Sequence, residues 1–278
     1  MSEITLFNED CFVTMGNMEK NNIKVDVILT SPPYNTARPV KTKKAMDTYN
    51  NRYDIYIDAK STEEYANWTL KLFESYDKIL KKDGVILYNI SYGSERPNDM
   101  WMAIAKLISE SNFMIAEQIV WKKKSALPNN TSHNKLTRIC EPVFVFCRKN
   151  EYNSYVTNKK VKSVRKDTGQ KYYENVFNFI EASNNDGPNK LNKATFSSDL
   201  CKQLLTIYAK EDATIYDSFM GTGTTAVACK EMNLNCIGSE LSEAQYEFSK
   251  ERLHLKWCKF FCKKFGFLIY FLYNCVTF

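Results

Sequence analysis

A double proline placed directly after a short apolar run constrains the fold of this chain more than any other feature. Residues 25–29 read Val-Asp-Val-Ile-Leu, which predicts a short, buried parallel strand. Pro32 and Pro33 follow within a few residues, and neither can continue a helix or take full part in a sheet ladder. Residues 30–34 are therefore predicted to form a rigid, extended turn at the carboxyl end of a strand, where open α/β sheets place their ligand sites.

The groups on this turn suit the recognition of a planar amino group. Ser31 offers a hydroxyl, Tyr34 offers a flat ring with a polar tip, and the peptide between the prolines holds its carbonyl oxygens in a fixed direction. The alternative is an ordinary strand-ending turn, since Ser-Pro and Pro-Pro are common in loops. The candidate catalytic residues are Ser31, Pro32, Pro33 and Tyr34.

The composition indicates a folded domain in a reducing compartment. The chain has 278 residues, of which 44% are hydrophobic, enough for one large α/β domain with a real core. Its nine cysteines are scattered, no Cys-x-x-Cys pair occurs, and only two histidines are present. Neither a disulfide framework nor a structural zinc site is predicted, so we expect a cytoplasmic protein without a metal.

Helical and strand patterns alternate along the rest of the chain. Ser61 and Glu64 match a capping box, and apolar residues then recur at helical spacing up to residue 80, with residues 81–84 ending the helix. Strands are predicted at 4–7, 85–90, 116–121, 142–147, 214–216 and 235–238, and further helices at 101–111, 197–210 and 226–232. The alternation predicts an α/β fold with a doubly wound, mostly parallel sheet.

A second candidate ligand turn follows the strand at 214–216. Residues 217–225 read Asp-Ser-Phe-Met-Gly-Thr-Gly-Thr-Thr and lead into a helix, so backbone can approach a ligand and the helix amino terminus points at it. Glu240 ends the next strand, where an acidic side chain commonly accepts both ribose hydroxyls of a nucleoside. Together these features predict an adenosyl ligand. The alternative is a tight strand–helix turn and a surface glutamate.

Asp10 follows the first predicted strand and precedes a short amphipathic stretch. A carboxylate at that strand end could accept hydrogen bonds from a ligand. The alternative role is the more common one, a cap at the amino terminus of the following helix.

Positive charge is concentrated in the middle of the chain. Residues 122–171 hold 13 Lys and Arg against three acidic residues, an excess larger than the net charge of +6 for the whole chain. Asn, Ser and Tyr are interleaved with the charges, as suits contacts with phosphates and base edges. We predict double-stranded DNA as a partner, with a solvated charged face as the alternative. The candidate contacts are Lys122, Lys123, Lys124, Lys135, Arg138, Lys159, Lys160, Arg165 and Lys166.

Two further stretches carry predictions of their own. Residues 35–54 lack periodicity, and a loop of that length beside a site either closes over a phosphate backbone or is a solvated flexible loop. Arg38, Lys43 and Lys44 are its candidate DNA contacts. The tail at 256–278 is basic and aromatic, but its apolar part, 265–273, is far below the roughly 20 residues of a membrane span. The tail is expected to pack on the domain or on a second copy in a homodimer, and the alternative is a basic and aromatic segment at a membrane interface.

With both turns placed, the chain resembles the amino-group DNA methyltransferases that use S-adenosylmethionine. The resemblance rests on residues 30–34 and 217–225, supported by Glu240, and it covers most of residues 4–255 in outline. The catalytic motif precedes the basic region and the glycine motif comes last, which is similar to the permuted class called beta. This implies a circularly permuted, Rossmann-like methyltransferase fold with an inserted target-recognition region. The implied parts are a catalytic half at 1–121, the target-recognition region at 122–193, a cofactor-binding half at 194–255 and the tail at 256–278.

The resemblance also implies roles for individual residues. Asp217, Phe219, Gly221 and Gly223 would line the methionine end of S-adenosylmethionine, while Glu240 would take the ribose and Asp10 would approach the adenine. Residues 193–196 stand where the family has another cofactor-contacting motif, although they depart from its commonest pattern. The full set of implied cofactor contacts is Asp10, Cys11, Thr195, Phe196, Asp217, Phe219, Met220, Gly221, Gly223, Thr224, Thr225, Glu240 and Leu241.

The implied reaction is methylation of the amino group of a flipped base. Ser31 and the Pro32 carbonyl would accept the two amino hydrogens, which draws the nitrogen toward a tetrahedral form, and Tyr34 would stack on the base. No metal is required. In this family a serine at the position of Ser31 is associated mainly with cytosine N4 and an aspartate with adenine N6, so cytosine N4 is favoured and adenine N6 stays open.

Two other functions share parts of this pattern. Methylation of a protein glutamine amide uses a similar Pro-Pro-Tyr turn, but the permuted order and the basic middle region disfavour it. A DNA-binding protein could keep the cofactor fold without turnover, but both motifs are intact here, which disfavours that reading.

Overall fold

A computed structural model describes residues 2–36, 58–92, 96–125, 133–187 and 195–253, with backbone only at 38–39 and 49–50. Lys43, Lys44 and the tail at 256–278 lie outside the described residues, and the side chain of Arg38 does too. The strands are β1 (Ile4–Phe7), β2 (Val25–Thr30), β3 (Arg38–Pro39), β4 (Tyr49–Asn50), β5 (Leu80–Asn89), β6 (Phe113–Lys123), β7 (Cys140–Arg148), β8 (Val161–Val164), β9 (Lys171–Tyr173), β10 (Phe179–Ala182), β11 (Thr214–Asp217) and β12 (Asn235–Ser239).

The helices begin where the sequence offers a cap. Asp10 and Ser197 each accept a backbone hydrogen bond at a helix start, and Ser61 and Glu64 form the predicted capping box. The helices are α1 (Cys11–Lys20), α2 (Thr62–Ile79), α3 (Asp99–Glu110), α4 (Ser198–Tyr208) and α5 (Thr224–Met232). Residues 243–253 form a further helical stretch.

Eight strands form one sheet in the order β1-β12-β11-β2-β5-β7-β6-β10. Every neighbouring pair is parallel except the two that involve β7, which runs against both β5 and β6. The predicted α/β fold with a doubly wound, mostly parallel sheet is thereby confirmed. The carboxyl ends of β2, β5, β11 and β12 consequently meet at one edge of the sheet, called here the carboxyl edge.

Apolar side chains of the central strands alternate between two cores, one on each face. In β5, Val85 and Leu87 join a buried cluster with α4 and α5, whereas Ile86 and Tyr88 join a cluster with α1, α2 and α3. All four are fully buried. Burial on both faces explains why these strands read as continuous apolar runs rather than as alternating ones.

One local prediction was wrong. Residues 81–84, expected to separate the helix from the next strand, lie within β5, which starts at Leu80 directly after α2. A Cβ on Gly84 would come within 2.7 Å of the Asp26 carbonyl oxygen, so glycine permits close approach where the β2–β5 register shifts. Lys81 pairs with Asp26 at 2.7 Å, which gives this polar end of the strand a partner.

The basic region is interleaved with the sheet. The predicted boundary at 121/122 falls inside β6, and the strand predicted at 142–147 is β7. β10 adds an edge strand that was not predicted, while β8 and β9 form a separate antiparallel hairpin. A distinct target-recognition region at 122–193 stays a prediction.

Candidate active site

The two predicted turns meet at the carboxyl edge. Thr30, the last residue of β2, donates a hydrogen bond of 2.8 Å to Asp217, the last residue of β11. A cleft opens above this bond, and residues from both turns line it. The lining residues are Glu9, Asp10, Cys11, Phe12, Ser31, Pro32, Pro33, Tyr34, Trp68, Thr195, Phe196, Ser218, Phe219, Met220, Gly221, Thr224, Ser239, Glu240, Leu241 and Gln245.

The double-proline turn is held by hydrogen bonds on two sides. The hydroxyls of Ser31 and Tyr34 lie 2.9 Å apart, and the Tyr34 hydroxyl donates to Asn89 Oδ1 over 3.1 Å. Tyr65, from α2, donates to the Pro33 carbonyl oxygen over 2.8 Å. The Pro33 carbonyl is therefore engaged within the protein.

Beyond the turn, Asn35 fixes the direction in which the chain leaves the cleft. It has a positive φ of 57°, a conformation that asparagine tolerates better than most residues. Its backbone N–H donates to Asp58 over 2.8 Å, and its side-chain amide donates to Asp99 over 2.6 Å. The turn is therefore anchored at its carboxyl end as well.

The glycine turn brings backbone close to the cleft. Gly223 precedes α5 with a φ of +79°, and a Cβ there would lie 2.7 Å from Ser249 Cβ, so the position requires glycine. The Gly221 N–H donates to Glu240 Oε2 over 2.7 Å, and Ser242 N–H donates to Glu240 Oε1 over 2.8 Å. Glu240 thus fixes the turn with the same carboxylate that faces the cleft.

Asp217 lies behind the cleft wall rather than on it. Its carboxylate accepts hydrogen bonds from Thr30, Thr225 at 2.6 Å and the Phe219 N–H at 3.1 Å. Burial raises the pKa of this carboxyl to about 6, against the opposing effect of these hydrogen bonds. Gly223 and Thr225 also lie outside the cleft lining, so these three predicted cofactor residues shape the turn from below.

At the other side of the cleft, Asp10 caps α1 by accepting from the Phe12 N–H over 2.8 Å. The capping alternative therefore holds, and Asp10 also lines the cleft. Burial, followed by the charge of Asp10, raises the pKa of the neighbouring Cys11 thiol. Cys11 consequently presents a neutral thiol to the cleft.

Ten of the thirteen predicted cofactor residues and all four predicted turn residues line this cleft. The lining residues that sequence reasoning missed are Glu9, Phe12, Trp68, Ser218, Ser239 and Gln245. Ser218 lies inside the glycine motif, so a signal existed for it. Trp68 is one of the apolar residues that recur at helical spacing before residue 80, yet it also contacts Phe219, with ring centroids 5.7 Å apart.

The three consecutive lysines predicted to contact DNA are engaged by carboxylates. Lys122 pairs with Glu181, Lys123 with Glu141 at 2.6 Å, and Lys124 with Asp199 at 3.4 Å. Arg138 stacks over Tyr92, with 4.7 Å between its guanidinium carbon and the ring centroid, and donates to the Tyr92 carbonyl. Lys135 is exposed.

The remaining basic candidates belong to the β8–β9 hairpin, whose base lies at the opposite edge of the sheet. Asn158, next to Lys159, donates to the carbonyls of Thr206 and Ala209 at the end of α4. The start of α4 adjoins the cleft through Phe196, and eleven residues of helix span about 16 Å. Lys159, Lys160, Arg165 and Lys166 are all exposed, and Arg165 pairs with Asp167 at 2.8 Å.

Within the described ranges, no group of three or more His, Cys, Asp or Glu is arranged to hold a metal ion. Nor is any helix of these ranges long and apolar enough to cross a membrane. The six cysteines described there are free.

The sheet order and the cleft define an α/β protein with a candidate ligand site at the carboxyl edge. Residues 25–251 match the DNA methylase family of N6 and N4 methyltransferases. The chain belongs to this family and is an S-adenosylmethionine-dependent DNA methyltransferase that modifies amino groups.

Relatives and solved structures agree with this assignment. The chain is 23% identical to the type II methyltransferase M.SmaI of Serratia marcescens, with 82% of this chain and 84% of that protein covered. It is 20% identical to the type II methyltransferase M.BglII of Bacillus subtilis, covering 95% and 75%. The fold is similar to that of the cytosine-N4-specific PvuII DNA methyltransferase, with a TM-score of 0.64, 17% identity, and 90% and 86% of the chains covered. The complex of M1.HpyAVI with S-adenosylmethionine gives a TM-score of 0.56 at 21% identity, covering 90% and 98%.

Proposed function

We propose that the chain methylates N4 of a cytosine that is flipped out of double-stranded DNA. The observation that supports this most is that the double-proline turn and the glycine turn share one cleft and are joined beneath it by the Thr30–Asp217 hydrogen bond. An amino group on the first turn and a nucleoside on the second would therefore be held side by side. Holding two reactants in fixed geometry is a major source of catalysis.

The residues of the glycine turn fit S-adenosylmethionine. Glu240 has a carboxylate in the cleft suited to ribose hydroxyls, and Gly221 leaves backbone accessible beside it. Phe219, Leu241 and Phe196 offer apolar surface to an adenine or a methionine chain, and Asp10 offers an acceptor for an adenine amino group. When bound, S-adenosylmethionine supplies a sulfonium methyl group as the electrophile.

The double-proline turn would bind the target base. The Ser31 hydroxyl oxygen and the Pro32 carbonyl oxygen accept the two amino hydrogens, which withdraws the nitrogen lone pair from the base ring. Tyr34 presents its ring as a stacking surface, and stacking on aromatic side chains is the usual way to hold a flipped base. The cost of unstacking the base is met by these contacts and by binding of the flanking duplex.

Cytosine is favoured over adenine because Ser31 occupies the first position of the motif. Serine there is associated mainly with N4 methylation in the family that the chain resembles. Adenine N6 is the second candidate, since both bases present an amino group beside a ring nitrogen. Duplex DNA as the substrate also fits the concentration of basic residues in the middle of the chain. A cytoplasmic, reducing location and a homodimer stay predictions.

Methyl transfer from labelled S-adenosylmethionine to duplex DNA tests this proposal. After digestion to nucleosides, the label is expected in N4-methyldeoxycytidine. Label in N6-methyldeoxyadenosine would overturn the base assignment while leaving the turn chemistry in place. Label in protein glutamine, with none in DNA, would mean that the substrate is a protein and not DNA. Binding of DNA and cofactor without any methyl transfer would mean that the protein is a DNA-binding module and not an enzyme.

A further inference from the structure

Asn89 lies at the carboxyl end of β5 and is 1% exposed, although it is neither predicted as a site residue nor part of the cleft lining. Its side-chain amide Nδ2 donates to the Pro142 carbonyl oxygen of β7 over 3.1 Å. A carbonyl oxygen can only accept, so the amide nitrogen must face β7. The amide oxygen Oδ1 therefore faces the double-proline turn.

This orientation determines which hydroxyl donates in the turn. Asn89 Oδ1 has no hydrogen, so the Tyr34 hydroxyl, 3.1 Å away, donates to it. The Tyr34 hydroxyl has only one hydrogen, and in its 2.9 Å contact with Ser31 Oγ it must then accept. Ser31 therefore donates to Tyr34, and its second neighbour in this network, Asn89 Oδ1 at 3.5 Å, is also an acceptor.

We propose that Asn89 is a positioning residue that directs the Ser31 hydrogen away from the cleft, so that Ser31 Oγ presents lone pairs to the target amino group. The inference rests on the proposed function, because it concerns how the amino hydrogens are received. With the direction reversed, a serine hydrogen would point at the amino hydrogens and repel them. The β5–β7 pairing, which sets Asn89 opposite Val143, holds this arrangement in register.

Two replacements at position 89 differ in whether they keep an acceptor for Tyr34. A leucine, which is also branched at Cγ, would remove the acceptor, so Tyr34 would turn its hydrogen toward Ser31 Oγ and reverse the chain of hydrogen bonds. An aspartate would keep an acceptor oxygen toward Tyr34 in either protonation state, and in its protonated form it could still donate to the Pro142 carbonyl. The two replacements therefore separate the acceptor function from the packing.

The test measures single-turnover methyl transfer to duplex DNA. Asn89→Leu is expected to lower the rate constant about tenfold or more, the effect of one misdirected hydrogen bond, with the Kd of S-adenosylmethionine unchanged. Asn89→Asp should stay within about threefold of the wild type. Asn17→Leu, on the exposed side of α1, is the matched control. Asn89→Ala removes the same acceptor if the leucine variant does not fold.

The Tyr34→Phe substitution distinguishes direction from mere packing. In the wild-type background it is expected to slow transfer, because Ser31 loses its 2.9 Å contact with Tyr34 and keeps only the longer, 3.5 Å contact with Asn89 Oδ1. In the Asn89→Leu background it should leave the rate unchanged or raise it, because it removes the hydrogen that faces Ser31. An equal loss in both backgrounds, or full activity of Asn89→Leu, would overturn the role of Asn89. Absence of methyl transfer by the wild type would count instead against the proposed function.

Discussion

The cleft and the basic region differ in how their functional side chains are held. In the cleft, hydrogen bonds join separate segments of the chain: the bond between Thr30 and Asp217 is buried, and the bond between Gly221 and Glu240 is partly buried. In the basic region, Lys122 pairs with Glu181 at the protein surface and Lys123 pairs with Glu141 in a partly buried position, while the β8–β9 hairpin is exposed along its length. The side chains of the cleft are therefore held in fixed positions, whereas those of the basic region act mainly through their charge at a distance.

This difference has consequences for energy. A hydrogen bond to a buried charged group contributes about 1.5–3 kcal/mol, whereas an exposed ion pair contributes about 0–1 kcal/mol and is weakened by salt. Single substitutions in the cleft should therefore have large effects that depend little on salt. Substitutions in the basic region should have small effects that depend strongly on salt.

The largest effect is expected for Ser31→Ala. This variant loses the hydroxyl acceptor proposed for the target amino group, so kcat should fall about 100-fold to 1000-fold, as when one positioned hydrogen-bonding group is removed from other active sites. The Kd of S-adenosylmethionine should not change. Ser109→Ala, at an exposed position of α3, provides the matched control. Full activity of Ser31→Ala would mean that the Ser31 hydroxyl does not accept a hydrogen bond from the target amino group.

The second effect is a pH dependence of stability caused by Asp217. Because its pKa is raised to about 6 in the folded protein, the folded state holds this proton more tightly than the unfolded state. Its contribution to the free energy of unfolding is fully present below pH 4 and is lost as the pH rises through 6, about 3 kcal/mol in all. Asp217→Asn does not titrate and should lack this loss.

Urea unfolding at several pH values between 4 and 7 measures the Asp217 effect. The stability of the wild type relative to Asp217→Asn should decline across this interval. Asp212→Asn, at an exposed turn, should follow the wild-type profile. Parallel profiles for the wild type and Asp217→Asn would mean that burial beneath the cleft does not raise the pKa of Asp217.

The third effect concerns cofactor binding by Glu240. Glu240→Gln keeps the size of the side chain but removes its charge, so hydrogen bonds from ribose hydroxyls and from Gly221 are weakened. We expect the Kd of S-adenosylmethionine, measured by calorimetry, to rise about tenfold. Glu247→Gln is the matched control, since Glu247 pairs with Lys250 on the surface. An unchanged Kd for Glu240→Gln would place the ribose elsewhere.

The sequence predicted the parts of the cleft whose local chemistry is restrictive. Two consecutive prolines end a strand because neither can take full part in the sheet ladder. Gly223 has a left-handed φ of +79°, and a Cβ there would lie 2.7 Å from Ser249 Cβ, so the backbone and the surroundings both require glycine. Such constraints act within a few residues, so a linear pattern reveals them. Capping of α2 by Ser61 was predictable for the same reason.

Residues that depend on distant partners could not be predicted. Asn89 reads as part of an apolar strand, and only its contacts with Tyr34 and Pro142 show what it does. Trp68 has the helical spacing of a core residue, although its side chain also lines the cleft. The ion pairs of the basic region could not be predicted either, because Glu181 is 59 residues from Lys122 along the chain.

The smallest expected effect, and the most direct test of the comparison, is the salt dependence of DNA binding. Replacing Lys159 and Lys166 together by alanine should reduce the slope of log Kd against log salt concentration by about 2, since each exposed lysine that meets a phosphate releases about one counterion. Replacing Lys122 and Lys123 should change the slope by less than about 1, because Glu181 and Glu141 already neutralise them. Fluorescence anisotropy with a labelled duplex at several salt concentrations gives both slopes.

A larger change for Lys122 and Lys123 would mean that these lysines leave their carboxylates to bind DNA. The charge that holds the duplex would then lie at the same edge of the sheet as the cleft, and the hairpin at the opposite edge would need another role.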